Sequence, residues 1–179
     1  MPAIKMRTAY FSHQHRKGRR HEGGTHARIN GYFRRYADIP TPITLGHEIT
    51  GIVHKIGGIV PKSSGFQEGD HVVVVAGWGD GTCRHCQIGN THICPNVRWP
   101  GFGPYGGFAE FIPVPARYLI KVDSRLKSEE LAPLTDAGVT PYRGLKKLRD
   151  AGALGPNRVL GVFGVGGLGD AILLRRDSS

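Results

Sequence analysis

Cysteine is scarce in this chain, which has three among 179 residues, all of them between positions 83 and 94. An odd number of thiols confined to so short a segment excludes a framework of disulfide bonds. Long apolar runs are absent too, since none approaches the roughly 18–20 residues that a membrane helix requires. The basic N-terminus lacks the apolar stretch of a signal peptide. We therefore expect a globular, cytoplasmic protein that makes no contact with membranes.

Acidic residues are almost missing from the first 36 positions, where Glu22 stands against nine Lys or Arg side chains. The remainder of the chain holds fifteen basic and thirteen acidic residues and is close to neutral. Because residues 1–30 also show no sustained apolar period, they are predicted to be a basic tail, disordered or aberrant. Basic arms can also bind the phosphates of nucleic acids, which is the competing interpretation.

The chain does contain a closely spaced set of metal-binding side chains. The set is one carboxylate and three thiols, at Asp80, Cys83, Cys86 and Cys94. Two cysteines separated by two residues can clasp one ion from a tight turn, and a third closes a small loop, so the pattern predicts a structural Zn²⁺ site. Asp80 is the preferred fourth ligand, and His85 and His92 compete with it. The plain alternative is three reduced cysteines in an ordinary loop.

Apolar alternation and turn residues divide the chain into a mainly β part and a final α/β part. Strands are predicted over residues 49–56, 71–76, 108–115 and 118–122. From Ser128 the pattern becomes helical, and a helix is predicted over 141–149 with Gly152 beyond its last turn. A further strand is predicted over 158–164, followed by a turn and an apolar helix.

Glycines cluster in the turn that would join this last strand to its helix. The turn contains Gly164, Gly166, Gly167, Leu168 and Gly169. Glycine permits a tight turn there and lets backbone N–H groups approach a pyrophosphate at the N-terminus of the helix. The segment therefore predicts a dinucleotide-binding turn for NAD or NADP. The alternative is a glycine-rich turn without a ligand.

Six short motifs occur in one order between residues 31 and 169. They are Gly46-His47-Glu48, Gly51, Gly69-Asp70, the cysteine run, Gly106-Gly107-Phe108-Ala109-Glu110 and the glycine turn. In this order they resemble the zinc-dependent alcohol dehydrogenases of the medium-chain dehydrogenase/reductase superfamily. The resemblance implies a GroES-like, mainly β, partly open barrel with a zinc lobe over residues 31–150. It also implies the first βα unit of an incomplete Rossmann domain over residues 151–179.

The resemblance further implies a catalytic zinc ion held by His47 and Asp136, with Glu48 as a supporting ligand. Such an ion lowers the proton affinity of an alcohol oxygen, so that hydride can leave for the cofactor. The implied reaction is hydride transfer between a primary or secondary alcohol and NAD(P)⁺, giving an aldehyde or ketone, and family members are homo-oligomers. Trp99 is expected either to line the substrate pocket or to be a buried structural tryptophan. Taken singly, His47 would be interpreted as a structural histidine and Asp136 as a helix N-cap.

Both ends of the chain depart from the family's pattern. The family's first catalytic ligand is a cysteine ahead of the position that Gly31 matches, and this chain has none there, with Thr25 and His26 as remnants of that stretch. The family's N-terminal strands are also expected to be missing. After Gly169 the chain stops before the acidic residue that would distinguish NAD from NADP. We therefore expect a truncated or frameshifted product with little or no turnover.

The competing function is a zinc-ribbon-like module that binds nucleic acid through the basic tail. It accounts for the charge and for the cysteines. It leaves the Gly46-His47-Glu48 motif and the glycine turn unexplained, so nucleic acid is the less favoured partner.

Overall fold

A computed structural model describes residues 2–11, 43–102 and 105–176, and its strands form one antiparallel sheet. The strands are β1 Ala3–Phe11, β2 Ile49–Ile56, β3 His71–Val74, β4 Phe111–Pro115 and β5 Leu119–Lys121. Their order across the sheet is β4-β1-β2-β3-β5, so β2 occupies the centre. The mainly β character expected for this part of the chain is confirmed, and the structure shows that the five strands form an antiparallel sheet.

Strand β1 lies inside the sheet, where it pairs with β2 on one side and β4 on the other. Ile4 and Met6 are buried, whereas Lys5 and Arg7 are exposed. The prediction of a tail was therefore wrong for residues 3–11, and so was the expected loss of every strand at this end. The reason is that a strand with hydrogen-bonded neighbours on both edges needs few apolar residues, and the two buried side chains of β1 are sufficient here. Residues 12–30 of the predicted tail lie outside the described residues.

The core is the buried face of this sheet. Its side chains come from all five strands and from the segments that follow β3 and β4. They include Ile4, Met6, Ile49, Val53, Val72, Val74, Trp78, Ile112, Val114, Tyr118 and Leu119. The predicted strand over 49–56 coincides with β2 at both ends, and the other three predicted strands of this domain are confirmed with shorter bounds.

Four α-helices are present among the described residues. They are α1 Arg84–Gln87, α2 Ser128–Leu131, α3 Val139–Asp150 and α4 Gly167–Arg176. The helix predicted over 141–149 is α3, and it ends before Gly152, whose φ of 67° is left-handed. In the part of the chain that the structure describes, no helix has the length and apolar character needed to cross a membrane.

A buried histidine connects the start of α2 to the sheet. The Nε2 atom of His71 lies 3.1 Å from the hydroxyl oxygen of Thr50 in β2 and 3.1 Å from that of Ser128. The Thr50 hydroxyl also donates to the carbonyl of Val72 at 3.0 Å. These contacts fix where the chain leaves the sheet, and they bring the turn between α2 and α3 over the start of β2.

The strand predicted over 158–164 is not formed. None of the described strands pairs with this segment, and Val159 and Phe163 are almost fully exposed. A β-strand depends on hydrogen bonds to a neighbour, so apolar composition alone does not make one. The helix predicted after it is confirmed as α4.

The buried position of β1 makes a prediction about stability. Replacing Ile4 with Ala should lower the free energy of unfolding by about 2–5 kcal/mol, because the substitution leaves a cavity between β2 and β4. Urea unfolding measures the change. Arg7→Ala on the exposed face of the same strand is the control and should change stability by no more than about 0.5 kcal/mol. Equal effects of the two substitutions would contradict the placement of β1.

Candidate metal centres

The first candidate centre is the cysteine lobe, residues 80–94, which lies between β3 and β4. One ligand atom from each member of the set lies within 4.8 Å of all the others, the members being Asp80, Cys83, Cys86 and Cys94. Cys83 immediately precedes α1, and Cys86 lies within that helix. Cys94 follows a short 3-10 turn, Thr91–Ile93. Local turns therefore bring all four side chains together, as their spacing predicts.

Hydrogen bonds hold the carboxylate of Asp80 in the lobe. Its Oδ1 accepts the backbone N–H groups of Thr82 at 2.8 Å and Cys83 at 3.2 Å. Its Oδ2 accepts the side-chain amide of Asn96 at 2.8 Å. These donors, with Asn96 the strongest, hold the pKa of Asp80 far below its usual range. Asp80 is therefore ionised at neutral pH, as a metal ligand has to be.

The three sulfur atoms lie in different surroundings. Cys94 is buried, and its Sγ accepts the backbone N–H of Asn96 at 3.3 Å. A backbone hydrogen bond from Cys86 lowers the pKa of Cys83, whereas desolvation and the neighbouring thiols raise that of Cys86 to about 11. Crowded thiols that resist simultaneous ionisation are stabilised as thiolates by a bound cation. The donor set is consistent with a structural zinc ion.

Aromatic side chains attach the lobe to the sheet. The buried hydroxyl of Tyr118 donates to the carbonyl of Gly79 at 2.9 Å, one residue before the lobe begins. The indole N–H of Trp78 donates to the carbonyl of Val75 at 2.8 Å, and its backbone pairs with Arg98. Gly79 has no room for a side chain, because an added Cβ would lie 2.5 Å from the Sγ of Cys86. Nothing in the sequence pattern had singled out Tyr118 or Gly79.

The second candidate centre, the His47 group, joins two distant parts of the chain. It consists of His47, Glu48 and Asp136, whose ligand atoms also lie within 4.8 Å of one another. The Nε2 atom of His47 lies 3.0 Å from Oδ2 of Asp136, which is 89 residues further along the chain. The structure thus brings together all three residues that the resemblance had assigned to a catalytic site.

Close backbone packing positions His47 at the start of β2. Gly46 has a left-handed φ of 96°, and its carbonyl accepts the N–H of Gly107 at 2.9 Å. An added Cβ on Gly46 would lie 2.5 Å from the ring of Phe108. Phe102 flanks the imidazole of His47, with ring centroids 5.7 Å apart. Glycine is therefore required at position 46 for the turn that presents His47.

The turn before α3 supplies the other half of the His47 group. The backbone N–H of Ala137 donates to Oε1 of Glu48 at 3.1 Å, and the hydroxyl of Thr140 donates to Oδ1 of Asp136 at 2.9 Å. Asp136 is therefore not an N-cap, since Gly138 occupies that position of α3. Its carboxylate faces His47 instead.

The three members differ in burial and in electrostatics. Glu48 is only 5% exposed, and its desolvation raises its pKa. The side chains of His47 and Asp136 are 43% and 40% exposed. Their shared hydrogen bond raises the pKa of His47 and lowers that of Asp136. The group is thus a half-open site with one buried carboxylate beneath an imidazole–carboxylate pair.

Gly164 and Gly166 precede α4, whereas Gly167, Leu168 and Gly169 lie in its first turn. Gly164 has a left-handed φ of 85°, and the N–H of Asp170 donates to the carbonyl of Gly166 at 2.9 Å. An added Cβ on Gly169 would collide with the carbonyl oxygen of Gly164. A cavity of about 930 Å³ lies between this turn and α3, and it is bordered by Gly166, Gly167 and Leu168.

Comparison with known families agrees with this geometry. The model of the alcohol dehydrogenase GroES-like domain matches residues 14–124. This chain belongs to that family. A similar curated relative of this GroES-like chain is the NAD-dependent alcohol dehydrogenase of Sulfurisphaera tokodaii, with 42% identity over 130 residues. That match covers 72% of the chain but only 35% of the relative, so the chain spans about a third of the relative's length.

Solved structures give the same result for the fold of this GroES-like chain. The D-arabinose dehydrogenase from Sulfolobus solfataricus superimposes with a TM-score of 0.80 at 29% identity, covering 99% of the chain and 51% of that protein. The alcohol dehydrogenase of Aeropyrum pernix gives a TM-score of 0.72 at 30% identity, covering 99% and 56%. The expected family is therefore confirmed.

Other residues singled out from the sequence have different outcomes. Trp99 is 42% exposed, so the buried structural tryptophan of this domain is Trp78 rather than Trp99. The histidines His85 and His92 are exposed and do not belong to the four-membered lobe group. Thr25 and His26 lie outside the described residues.

The tight packing around Gly79 yields a second stability prediction. Gly79→Ala should lower the free energy of unfolding by about 1–3 kcal/mol, because the added methyl group has to displace Cys86 or the backbone beside it. Urea unfolding at equal zinc content measures the change. Gly58→Ala is the matched control, since an added Cβ there has nothing within 4 Å. A Gly79→Ala protein as stable as the control would contradict the packing.

Proposed function

We propose that this chain is the metal-binding, substrate-side domain of a zinc-dependent alcohol dehydrogenase. The reaction is hydride transfer between a primary or secondary alcohol and NAD(P)⁺. The observation that carries the proposal is the convergence of His47, Glu48 and Asp136 at the start of β2. Membership of the family supports an alcohol or carbonyl compound as the substrate class.

The donor chemistry of the His47 group is suited to a divalent ion. An imidazole nitrogen and carboxylate oxygens are common ligands of catalytic zinc, and a site with three protein ligands leaves a position for substrate. A zinc ion bound there would supply a Lewis acid that lowers the proton affinity of an alcohol oxygen. Ala137 and Thr140 orient the two carboxylates, and the exposure of His47 and Asp136 leaves a path for substrate to the site.

The cysteine lobe has a structural role in this proposal. A site with four protein ligands has no open position, so an ion held by Asp80, Cys83, Cys86 and Cys94 would stabilise the fold without taking part in chemistry. The bonds from Tyr118 and Trp78 would transmit that stabilisation to the sheet. Loss of the ion should therefore loosen the segment between β3 and β4.

The cofactor side of the proposal rests on the glycine turn. Gly164, Gly166, Gly167, Leu168 and Gly169 would face the pyrophosphate of NAD or NADP at the start of α4, as in a Rossmann unit. The strand that normally precedes such a turn is not paired in the described residues. The chain by itself is therefore expected to bind the cofactor poorly and to turn over little or no alcohol.

The nucleic-acid alternative has lost part of its basis. Lys5 and Arg7, two of the nine basic residues that suggested a tail, belong to a strand inside the sheet. The alternative also does not explain why His47 and Asp136 lie in contact. We therefore retain the dehydrogenase proposal alone.

Zinc content tests the ligands of the lobe. Cys86→Ser should remove one tightly held zinc equivalent per chain, because the remaining donors no longer close the site. Asp80→Ala should weaken retention of the same ion. His85→Ala and His92→Ala are the controls and should keep it. Elemental analysis after gel filtration gives the stoichiometry, and a loss of zinc in His92→Ala equal to that in Cys86→Ser would assign the fourth ligand to the histidine.

A chimera tests the proposed activity. Residues 43–150 would replace the corresponding segment of the Sulfurisphaera tokodaii dehydrogenase, which supplies the rest of the protein. We expect NAD-dependent oxidation of ethanol or 2-propanol by the chimera, and little or none by the 179-residue chain alone. His47→Ala in the chimera removes the nitrogen ligand of the proposed zinc ion. It should lower kcat/KM by about a hundredfold or more, which is the usual cost of losing a group that stabilises charge in the transition state.

Glu129→Gln is the control for the chimera, because Glu129 is an exposed carboxylate outside the site. It should leave kcat/KM unchanged. A well-folded chimera in which His47→Ala behaves like this control would contradict the role of the His47 group. Strong turnover by the isolated chain would contradict the expected dependence on the rest of the dehydrogenase.

A further inference from the structure

The sequence limits which donors can serve the two candidate centres. All three cysteines of the chain lie in the cysteine lobe, and their sulfur atoms are grouped there with Asp80. No thiol of this chain is therefore left to join His47, Glu48 and Asp136. The lobe offers three sulfur donors and one oxygen, whereas the His47 group offers one nitrogen and carboxylate oxygens.

Donor softness separates the cations that such sites hold. Thiolates select soft or borderline ions such as Zn²⁺, whereas carboxylates suit harder ions such as Mn²⁺, and imidazole accepts both kinds. Affinity still rises from Mn²⁺ through Co²⁺ to Zn²⁺ at most nitrogen and oxygen sites. The preference for Zn²⁺ over Mn²⁺, measured as the ratio of their affinities, is nevertheless smaller at a site without sulfur than at one with three sulfur donors.

The surroundings of the His47 group also suit a hydrated cation. His47 and Asp136 are each close to half exposed, so bound water can complete the coordination of an ion that has few protein ligands. Glu48 lies beneath them, buried and oriented by the backbone N–H of Ala137. The cysteine lobe instead surrounds its centre with four protein donors.

From these observations we propose that the two centres sort cations within one chain. The His47 group is a thiolate-free site that accepts Mn²⁺ or Co²⁺, while the cysteine lobe retains Zn²⁺. The inference rests on the proposed function, because it takes the His47 group to be a metal site. It goes beyond that function by assigning the class of ion from the donor set of this chain.

Mn²⁺ titration of protein that carries one zinc equivalent tests this inference. Free Mn²⁺ gives a strong electron paramagnetic resonance signal that is lost on binding, and elemental analysis reports the zinc that stays. We expect one Mn²⁺ bound per chain with the zinc equivalent unchanged. Asp136→Asn and Glu48→Gln should each weaken Mn²⁺ binding by about tenfold or more. Glu129→Gln, an exposed carboxylate outside both centres, should not change it.

Co²⁺ gives an independent measurement on the same protein. Its optical spectrum should lack the charge-transfer band of a thiolate–cobalt bond while the lobe holds zinc. Appearance of that band, or release of the zinc equivalent by Mn²⁺, would overturn the sorting of ions.

The remaining outcomes separate the inference from the proposed function. Binding of a second Zn²⁺ that Asp136→Asn abolishes, without any binding of Mn²⁺, would overturn the inference and leave the metal site of the proposed function intact. Binding of neither ion at the His47 group would overturn both. Circular dichroism of each variant checks that a loss of binding is not a loss of fold.

Discussion

The central position of β2 in the sheet determines where both candidate centres lie. His47 and Glu48 directly precede this strand, so its pairing with β1 and β3 fixes them at one end of the sheet. Strand β3 pairs with β2 over Thr50, Gly51 and Ile52, and the chain leaving β3 runs into the cysteine lobe. Displacement of β2 would therefore disturb both groups of ligands together.

The two centres are built on different physical principles. The cysteine lobe assembles its donors from local turns, and its contacts with the sheet through Tyr118 and Trp78 serve to anchor it. The His47 group depends on tertiary packing, because the turn before α3 has to lie over the start of β2. The hydrogen bond from Ala137 to Glu48 and the buried network of His71 hold these two parts together. A sulfur-rich group of candidate ligands and a half-open group without sulfur thus coexist in one small domain.

Much of the fold follows from local patterns, and the failures have physical causes. Strand β2 and helix α3 were predicted nearly residue for residue, because apolar spacing and flanking glycines mark their ends. Strand β1 was missed because its basic residues obscured a short alternation of apolar and polar side chains. So short a pattern forms a strand only when neighbouring strands pair with both of its edges. Residues 158–164 have the composition of a strand, but none of the described strands pairs with them. Residue spacing did not identify any member of the His47 group. The resemblance to the family identified all three.

The sequence by itself determined the cysteine lobe, because its four candidate ligands lie within fifteen residues and short turns bring such residues together. It also determined the donor chemistry of the second centre, since no cysteine lies outside the lobe. Only the tertiary structure decided that His47 meets Asp136 across 89 residues, because such a contact depends on sheet pairing that no local period encodes. Strand formation depends in the same way on hydrogen-bonded neighbours. Residues 3–11 have such neighbours and form a strand, whereas residues 158–164 pair with none of the described strands.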